Sequence, residues 1–236
     1  MKTTITGTRQ VARGTMEFAL ARPEALVFEA GHTIDLTLVN PPETDVEGNR
    51  RTFSILSAPH EPELRIATRI RDSAFKRVLA AARVGTEVEL EGPFGSYTLH
   101  ENAARPAVFL AGGIGITPFH AMAADAAARN LPHRLILFYS SRRKEDAAYL
   151  EELERIAAAH PRFTFVPTLT ADDPASDWNG ERGRVDAAML ARHIPAGVFP
   201  VYYLAGPQRM VLATRDLLAA TGVSRDDIRY EEFSGY

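Results

Sequence analysis

The sequence predicts two domains: an antiparallel six-stranded β-barrel over residues 1–102, followed by an α/β domain with a parallel sheet over residues 103–236. Apolar and polar residues alternate in the first part, which is typical of half-buried antiparallel strands. Apolar strands alternate with helical segments in the second part, which favours a parallel sheet with helices on both faces. The boundary near residues 101–105 has no Gly- or Ser-rich linker, so we expect the domains to abut.

The strands of the first domain follow from side-chain alternation. Ile34, Leu36 and Leu38 point to one side of a strand, and Val88 and Leu90 repeat the pattern between glutamates. Closing the strands into a barrel would remove their unpaired edges. The strands are predicted at 3–10, 14–20, 33–39, 51–57, 63–70 and 86–91, a loop rich in turn residues at 41–49, and one helix at 73–82 with Phe75, Val78, Leu79 and Ala82 on one face.

The second domain shows the βαβ rhythm. RLILFYS at 134–140 and VYYLA at 201–205 are short apolar runs, as expected of strands buried on both faces. Amphipathic or alanine-rich stretches separate them. Strands are predicted at 106–111, 134–140, 163–169, 201–205 and 228–233, and helices at 117–129, 146–159 and 208–220.

Composition excludes several classes of protein. The 236 residues include 27 Lys and Arg and 30 Asp and Glu, a net charge of −3, which argues against a nucleic-acid partner. Cysteine is absent, so neither disulfides nor Cys-ligated clusters can form. The seven histidines are never three to five residues apart, and we expect no metal site. Since the sequence shows neither a signal peptide nor a membrane-spanning apolar run, we expect a cytoplasmic protein that does not associate with membranes.

A glycine-rich segment joins the first strand and first helix of the second domain. Residues 111–118 read AGGIGITP, and glycines let the chain turn sharply and let a ligand approach the backbone. A helix N-terminus offers N–H groups and a positive dipole end, which suit a diphosphate. Thr117 would cap this helix, and Pro118 would be its first residue. The alternative is an ordinary glycine-rich turn, because the segment is not a GxGxxG fingerprint.

A second motif, RTFS at residues 51–54, lies on a barrel strand. An arginine can pair with a phosphate, an aromatic ring can stack on a planar ligand, and a hydroxyl can bond a ring nitrogen. The alternative is a barrel strand with Phe53 in the core. Two turn motifs follow, GPFG at 92–95 and AGP at 205–207, the latter at the carboxyl end of a sheet strand, where ligands bind in open α/β folds.

RTFS, GPFG, GGIGITP, AGP and the terminal EEFSGY occur in this order along nearly the whole chain. Together they resemble the ferredoxin–NADP⁺ reductase superfamily. The resemblance implies a flavin-binding barrel, a nicotinamide-nucleotide domain and a flavin between them. It also implies hydride transfer from NAD(P)H to flavin N5, followed by single-electron transfer to a carrier such as ferredoxin or flavodoxin.

The resemblance assigns a role to each part of the flavin site. Arg51 would neutralise flavin phosphate, Phe53 would stack on the ring in place of the usual Tyr, and Ser54 would bond near N5. The flavin residues implied are Arg51, Phe53, Ser54, Ile55, Ala67, Thr68, Arg69, Ser73, Ala74 and Phe75. The helix start at residues 73–75 would bind the FAD diphosphate, as a helix N-terminus can. It lacks the two glycines frequent in the family, so FAD is expected and FMN stays open.

The resemblance also assigns the nicotinamide site. The residues implied are Gly113, Gly115 and Thr117 in the first glycine-rich loop and Ala205, Gly206 and Pro207 in the second, with Ala205 in place of the usual Cys. Ser54 and Glu232 are the expected catalytic residues, with Glu231 the weaker candidate for the acid. Phe233 or Tyr236 would cover the flavin; the alternative for both is edge-strand packing.

The basic segment after the second sheet strand bears on the choice of nucleotide. Ser140, Ser141, Arg142 and Lys144 would read the 2′-phosphate of NADPH, and we favour NADPH over NADH. The alternative is a solvated basic loop. Two further functions stay open: the reductase component of an oxygenase system, with a separate carrier, and a flavin-binding redox sensor that does not turn over.

Overall fold

A computed structural model describes residues 1–171 and 177–233, and its first six strands form one antiparallel sheet. They are β1 (Lys2–Ala12), β2 (Thr15–Ala21), β3 (Thr33–Leu38), β4 (Arg50–Ser54), β5 (Glu63–Arg69) and β6 (Glu87–Phe94), in the order β4-β3-β6-β1-β2-β5. Just beyond β4, the Leu56 N–H donates to the Arg65 carbonyl of β5 at 2.8 Å, which brings the two edges together. The predicted six-stranded barrel is confirmed.

Alternation along the strands fills the barrel. In β3, Ile34, Leu36 and Leu38 are buried and the residues between them are only half-buried. Helix α1 (Ala74–Ala81) packs Phe75 and Leu79 against this core, and the Ser73 side chain accepts a hydrogen bond from the backbone of its first turn. The predicted helix is therefore confirmed, with Ser73 as its N-cap.

The second domain is a parallel sheet, as predicted. The strands are β7 (Ala107–Gly112), β8 (Leu135–Ser141), β9 (Phe163–Leu169), β10 (Glu181–Arg182), β11 (Val201–Pro207) and β12 (Ile228–Phe233), in the order β10-β9-β8-β7-β11-β12. The helices are α2 (Thr117–Ala128), α3 (Leu150–Ala159), α4 (Ala187–His193) and α5 (Gln208–Ala220). The strand order reverses between β7 and β11, which is where a crevice opens in such sheets.

The structure differs from the prediction at several element ends and in two added elements. In the barrel, β4 ends at Ser54 and not at residue 57, and β6 runs to Phe94 and not to residue 91. Helix α3 begins at Leu150 and not at residue 146, because Tyr149 has a left-handed backbone (φ +61°) and residues 144–146 form a separate 3-10 turn. The guanidinium of Arg13, the residue that follows β1, holds that turn through Asp146 at 2.8 Å. The short strand β10 and helix α4 have no counterpart in the prediction.

The two domains share a core. Leu56 and Ala67 of the barrel belong to the same buried cluster as Phe109 and Phe119 of the α/β domain. The connecting residues 95–106 add hydrogen bonds, among them the Tyr97 hydroxyl to the Leu204 carbonyl at 2.9 Å. Among the helices of the described ranges, none has the length and apolar character needed to cross a bilayer.

Candidate functional site

A cavity of about 400 Å³ lies at the seam between the barrel and the parallel sheet. Its volume is within the range of roughly 300–1,000 Å³ typical of small-molecule sites. The residues that line it are Thr33, Thr52, Phe53, Ser54, Ala67, Thr68, Arg69, Lys76, Ile114, Thr117, Glu231, Glu232 and Phe233. Both domains contribute to the lining, so the site exists only where the barrel meets the sheet.

Eight of the residues expected from the sequence lie together in this cavity. They are Phe53, Ser54, Ala67, Thr68 and Arg69 from the barrel and Thr117, Glu232 and Phe233 from the α/β domain. Phe53 also packs on Phe75 of α1, with ring centroids 6.0 Å apart, so it belongs both to the barrel core and to the cavity wall. Ile55 differs: it is fully buried in the barrel core and lines no part of the cavity.

Sequence reasoning missed Lys76, which lines the cavity from the first turn of α1. Burial, together with repulsion from Arg71 and Arg51, lowers the pKa of its ammonium group. A cation in the first turn of a helix opposes the helix dipole. A lysine at this unfavourable position is a sequence signal for an anion site, and this signal could have identified Lys76. Thr33 and Thr52 were also absent from the prediction, whereas Glu231 was its weaker candidate for the acid.

The N-terminus of α1 already holds an anionic side chain. The Ala74 N–H donates to Asp45 Oδ2 at 2.9 Å, and this bond holds the pKa of Asp45 below its ordinary value. Arg51 Nη2 lies 2.7 Å from Glu47 Oε2 and 3.6 Å from Asp45 Oδ1. The groups expected to take the flavin diphosphate are thus engaged by two carboxylates of the preceding loop.

The two glycine-rich loops pack against each other at the switch point of the sheet. A Cβ added to Gly115 would lie 2.3 Å from the Ala205 carbonyl oxygen, and one added to Gly206 would lie 3.0 Å from the Gly112 backbone. Gly206 has φ +151° and Gly113 has φ +52°. Gly115 and Gly206 therefore permit close contact between the loops, and Gly113 is half-buried. Ala205 is fully buried, and Pro207 follows as the last residue of β11.

The start of α2 is displaced by one residue from the expectation. The cap position is Ile116, no side chain caps it, and Thr117 is the first helical residue, with Pro118 after it. The Thr117 hydroxyl donates to the Ile114 carbonyl at 3.1 Å, because a 3-10 turn over residues 113–116 precedes the helix.

The residues of the basic segment after β8 differ in their exposure to solvent. Arg142 and Lys144 are exposed and Ser140 is half-buried. Ser141 is buried, and its hydroxyl has no hydrogen-bond partner among the described residues. Arg142 and Ser140 thus remain together at the carboxyl end of β8, while Ser141 points into the domain.

Two adjacent glutamates end β12. Burial raises the pKa of Glu231 to about 7. Glu232 is exposed and accepts a hydrogen bond from Gln208 Nε2 at 2.9 Å. Phe233 is half-buried in the cavity wall, and Tyr236 lies outside the described residues.

These features fit a flavin ring. Two aromatic rings, several hydroxyls and two acids line a cavity of suitable size, and a half-buried cation and a helix N-terminus lie at its barrel end. A larger cavity of about 1,190 Å³ lies between β1, α3 and β9, but of the expected residues it contains only Lys144. Within residues 1–171 and 177–233, no group of three or more His, Asp or Glu side chains is placed to hold a metal ion.

Comparison with known proteins shows the same two-domain arrangement. The family described as oxidoreductase NAD-binding domain matches residues 109–216. Ferredoxin–NADP reductase B of Sorangium cellulosum is 30% identical over 231 residues, which are 92% of this chain and 90% of that protein. The reductase component of phenol 2-monooxygenase from Pseudomonas sp. strain CF600 is 29% identical over 221 residues, but this chain spans only 60% of it.

Solved structures extend the likeness to the fold. The cytochrome P450 reductase from Amycolatopsis matches with a TM-score of 0.83 at 27% identity, covering 99% of this chain and 70% of that one. The flavohem-like FAD/NAD binding domain of nitric oxide dioxygenase from Vibrio cholerae matches with a TM-score of 0.85 over 98% of both chains. At 21% identity, the second likeness concerns the fold alone.

Proposed function

The chain belongs to the ferredoxin–NADP⁺ reductase superfamily, and on that premise we propose that it passes electrons from NADPH, through FAD, to a carrier protein such as ferredoxin or flavodoxin. Membership of the superfamily makes it a flavoprotein oxidoreductase that uses FAD and NAD(P). The single observation that carries the proposal is the cavity at the domain seam, where barrel residues face the end of β12 and the start of α2. The flavin supplies hydride acceptance from the nicotinamide and release of electrons one at a time.

The barrel side of the cavity would bind and orient the ring. The Phe53 side chain offers a flat apolar face, and Ser54 lines the same cavity as a hydrogen-bond partner for the ring, whereas the Thr52 hydroxyl already donates to Asp35. The β5 backbone at Ala67–Arg69 would hold the polar edge of the ring, since these residues form the opposite wall. Such rigid placement lets a hydride donor and acceptor meet at the required distance.

We propose Glu231 as the group that holds or moves a proton in this cavity. Its carboxyl lines the cavity, and its pKa of about 7 lets it serve as acid or base near neutral pH. The sequence favoured Glu232, whose carboxylate is instead exposed and bonded to Gln208. In this proposal Glu232 positions Gln208 beside the second glycine-rich loop.

The preference for NADPH rests on the exposed cations at the carboxyl end of β8. Arg142 can pair with a 2′-phosphate, and Ser140 lies beside it. Arg142→Ala should raise the KM for NADPH by roughly tenfold, the scale of one charge-assisted hydrogen bond, and leave the KM for NADH nearly unchanged. Arg129→Ala, a matched loss of charge at the far end of α2, is the control. Equal changes in the KM for NADPH and for NADH would contradict a role of Arg142 in binding the 2′-phosphate.

Anaerobic titration of the FAD-loaded protein with NADPH and with NADH tests the function as a whole. The expected result is bleaching of the flavin absorbance, at lower concentrations of NADPH than of NADH. A protein that binds FAD but is reduced by neither nucleotide would instead be a flavin-binding sensor. A protein that binds no flavin would refute the proposal.

A second candidate is the reductase component of an oxygenase system. The relative that carries the phenol 2-monooxygenase name favours it, although this chain spans 60% of that protein. These 236 residues contain no cysteine and cannot ligate an iron–sulfur cluster, so a separate carrier would be needed. Reduction of cytochrome c by NAD(P)H that depends on added ferredoxin would fit both candidates. Reduction of an oxygenase without any carrier would contradict both.

A further inference from the structure

The loop between β3 and β4 places two carboxylates on the groups that would bind a phosphate. Asp45 accepts the Ala74 N–H at the start of α1, at 2.9 Å. Glu47 lies 2.7 Å from Arg51 Nη2, and Arg51 Nη1 donates to the Glu47 carbonyl at 2.9 Å. The guanidinium and the helix N-terminus are therefore satisfied from within the chain.

The surroundings of Asp45 are those of an anion site. Arg51, Arg71 and Lys76 lie around the positive end of α1, and burial, followed by repulsion from Arg71 and Arg51, lowers the pKa of Lys76. Lys76 also lines the cavity at the domain seam, so this anion site continues into the ring site. A ligand with a planar ring and a phosphate group would occupy both at once.

The loop is held by contacts that can be exchanged. Val46, between the two acids, is fully exposed, so no apolar side chain anchors the tip. The Glu47 side chain is 66% exposed, and ion pairs at such positions contribute little to stability. The base of the loop is better fixed, because the Leu38 N–H donates to the Asn49 carbonyl at 2.9 Å and the Asn49 amide donates back to the Leu38 carbonyl at 2.8 Å.

We propose that Asp45 and Glu47 compete with the flavin diphosphate for Arg51 and the N-terminus of α1, so that the loop at residues 41–49 acts as a built-in gate on flavin binding. This inference rests on the proposed function, because it takes the flavin as the ligand of the seam. The two carboxylates lower the affinity for flavins that carry phosphate and leave the binding of the ring itself unchanged. FAD enters when the loop tip moves away and its phosphates replace the two carboxylates.

The test uses flavin-free protein titrated with FAD, FMN and riboflavin, followed by quenching of flavin fluorescence. The double variant Asp45→Asn/Glu47→Gln should bind FAD roughly five- to tenfold more tightly than the wild type, the gain expected from removing the exposed charge of Glu47 and the half-buried charge of Asp45. Riboflavin, which carries no phosphate, should bind both proteins equally. Glu47→Gln alone should shift FAD affinity in the same direction by less, and it tests the proposal should the double variant not fold.

Asp72→Asn is the control for Glu47→Gln. Asp72 lies outside the loop at residues 41–49 and pairs with Arg77 of the same helix, not with Arg51. An equal gain in FAD affinity in the control would mean a general field effect and would overturn the proposal. Unchanged or weaker FAD binding by Asp45→Asn/Glu47→Gln would also overturn it, and so would an equal gain for riboflavin.

Inorganic pyrophosphate separates this inference from the proposed function. It should raise the melting temperature of the flavin-free double variant more than that of the wild type, because the anion site is then free of carboxylates. If the proteins bind flavins but pyrophosphate acts on both alike, the gate is refuted and the reductase proposal stands. If no flavin binds and the pyrophosphate effect is still larger in the double variant, the competition is supported and the flavin assignment fails.

Discussion

At the residue scale, the end of β12 shows how one position in a strand changes the chemistry of a side chain. Glu231 and Glu232 are neighbours and point to opposite sides of the strand. Burial raises the pKa of Glu231 to about 7, whereas Glu232 reaches solvent and bonds Gln208. An acid that ionises near neutral pH can exchange a proton during turnover, which is why we assign this role to Glu231.

Glu231→Gln should change the pH dependence of stability. The folded-state pKa of about 7 lies above the ordinary value of 4.5, so the stability due to the neutral carboxyl is present below pH 4.5 and is lost as pH rises through 7. Because glutamine does not ionise, the variant should be more stable than the wild type by about 1–3 kcal/mol at pH 9 and equal to it at pH 4. Urea unfolding of flavin-free protein at both pH values measures this.

Glu232→Gln is the control for that experiment, since its carboxylate is exposed and should give the same small difference at each pH. A stability gain of Glu231→Gln that does not depend on pH would contradict the role of ionisation and point to packing instead.

At the element scale, the two glycine-rich loops form one unit. The sequence suggested that the glycines of residues 112–115 let a ligand approach the backbone. The structure shows that Gly115 instead lets the loop after β7 lie against the Ala205 carbonyl of β11. Both loops follow neighbouring strands at the switch point, so their contact sets the floor of the crevice.

Gly115→Ala should therefore destabilise the α/β domain. Its Cβ would lie 2.3 Å from the Ala205 carbonyl oxygen and 2.6 Å from the Gly206 nitrogen, and backbone atoms cannot move aside as a flexible side chain can. The expected loss is about 1–3 kcal/mol in the free energy of unfolding. Gly7→Ala, where the nearest atom would be the Ala19 Cβ at 3.6 Å, is the control and should change stability by less than about 0.5 kcal/mol. Equal effects of the two substitutions would contradict the close contact of the loops.

Elements with a strong local pattern of apolar residues could be predicted from the sequence. Elements whose bounds depend on contacts with residues far away in the chain could not. Strand β9 and helix α5 have the predicted bounds because their apolar spacing is complete within the segment. The start of α3 was misplaced because Arg13, far away in the chain, holds the turn at residues 144–146. Ser141 shows the same limit within a motif: its place in a basic loop suggested exposure, but burial depends on the sheet around it.

At the scale of the whole molecule, a charged network joins the two domains beside the seam. Arg9 of the barrel lies 2.8 Å from Glu17 of β2 and 2.8 Å from Glu152 of α3. The other Glu152 oxygen lies 3.0 Å from the buried His120 of α2. This network could not be predicted from the sequence, because its members are separated by up to 143 residues. The cavity needs walls from both domains, so contacts that fix the joint also fix the site.

Glu152→Gln should loosen this joint in a pH-dependent way. The hydrogen bond with His120, and then that with Arg9, lower the pKa of Glu152 to about 2 from an ordinary value of 4.5. The stabilisation is therefore present above pH 4.5 and is lost as pH falls toward 2. We expect the variant to be less stable than the wild type by only about 1–2 kcal/mol at pH 7, because the pair is half-buried. The difference should be smaller at pH 3, because Glu152 of the wild type is then partly protonated. Urea unfolding at the two pH values measures the difference, and Glu154→Gln, an exposed position on the same helix, is the control. An equal loss at pH 7 and pH 3 would mean that Glu152 acts through packing and that charge does not hold the domains together.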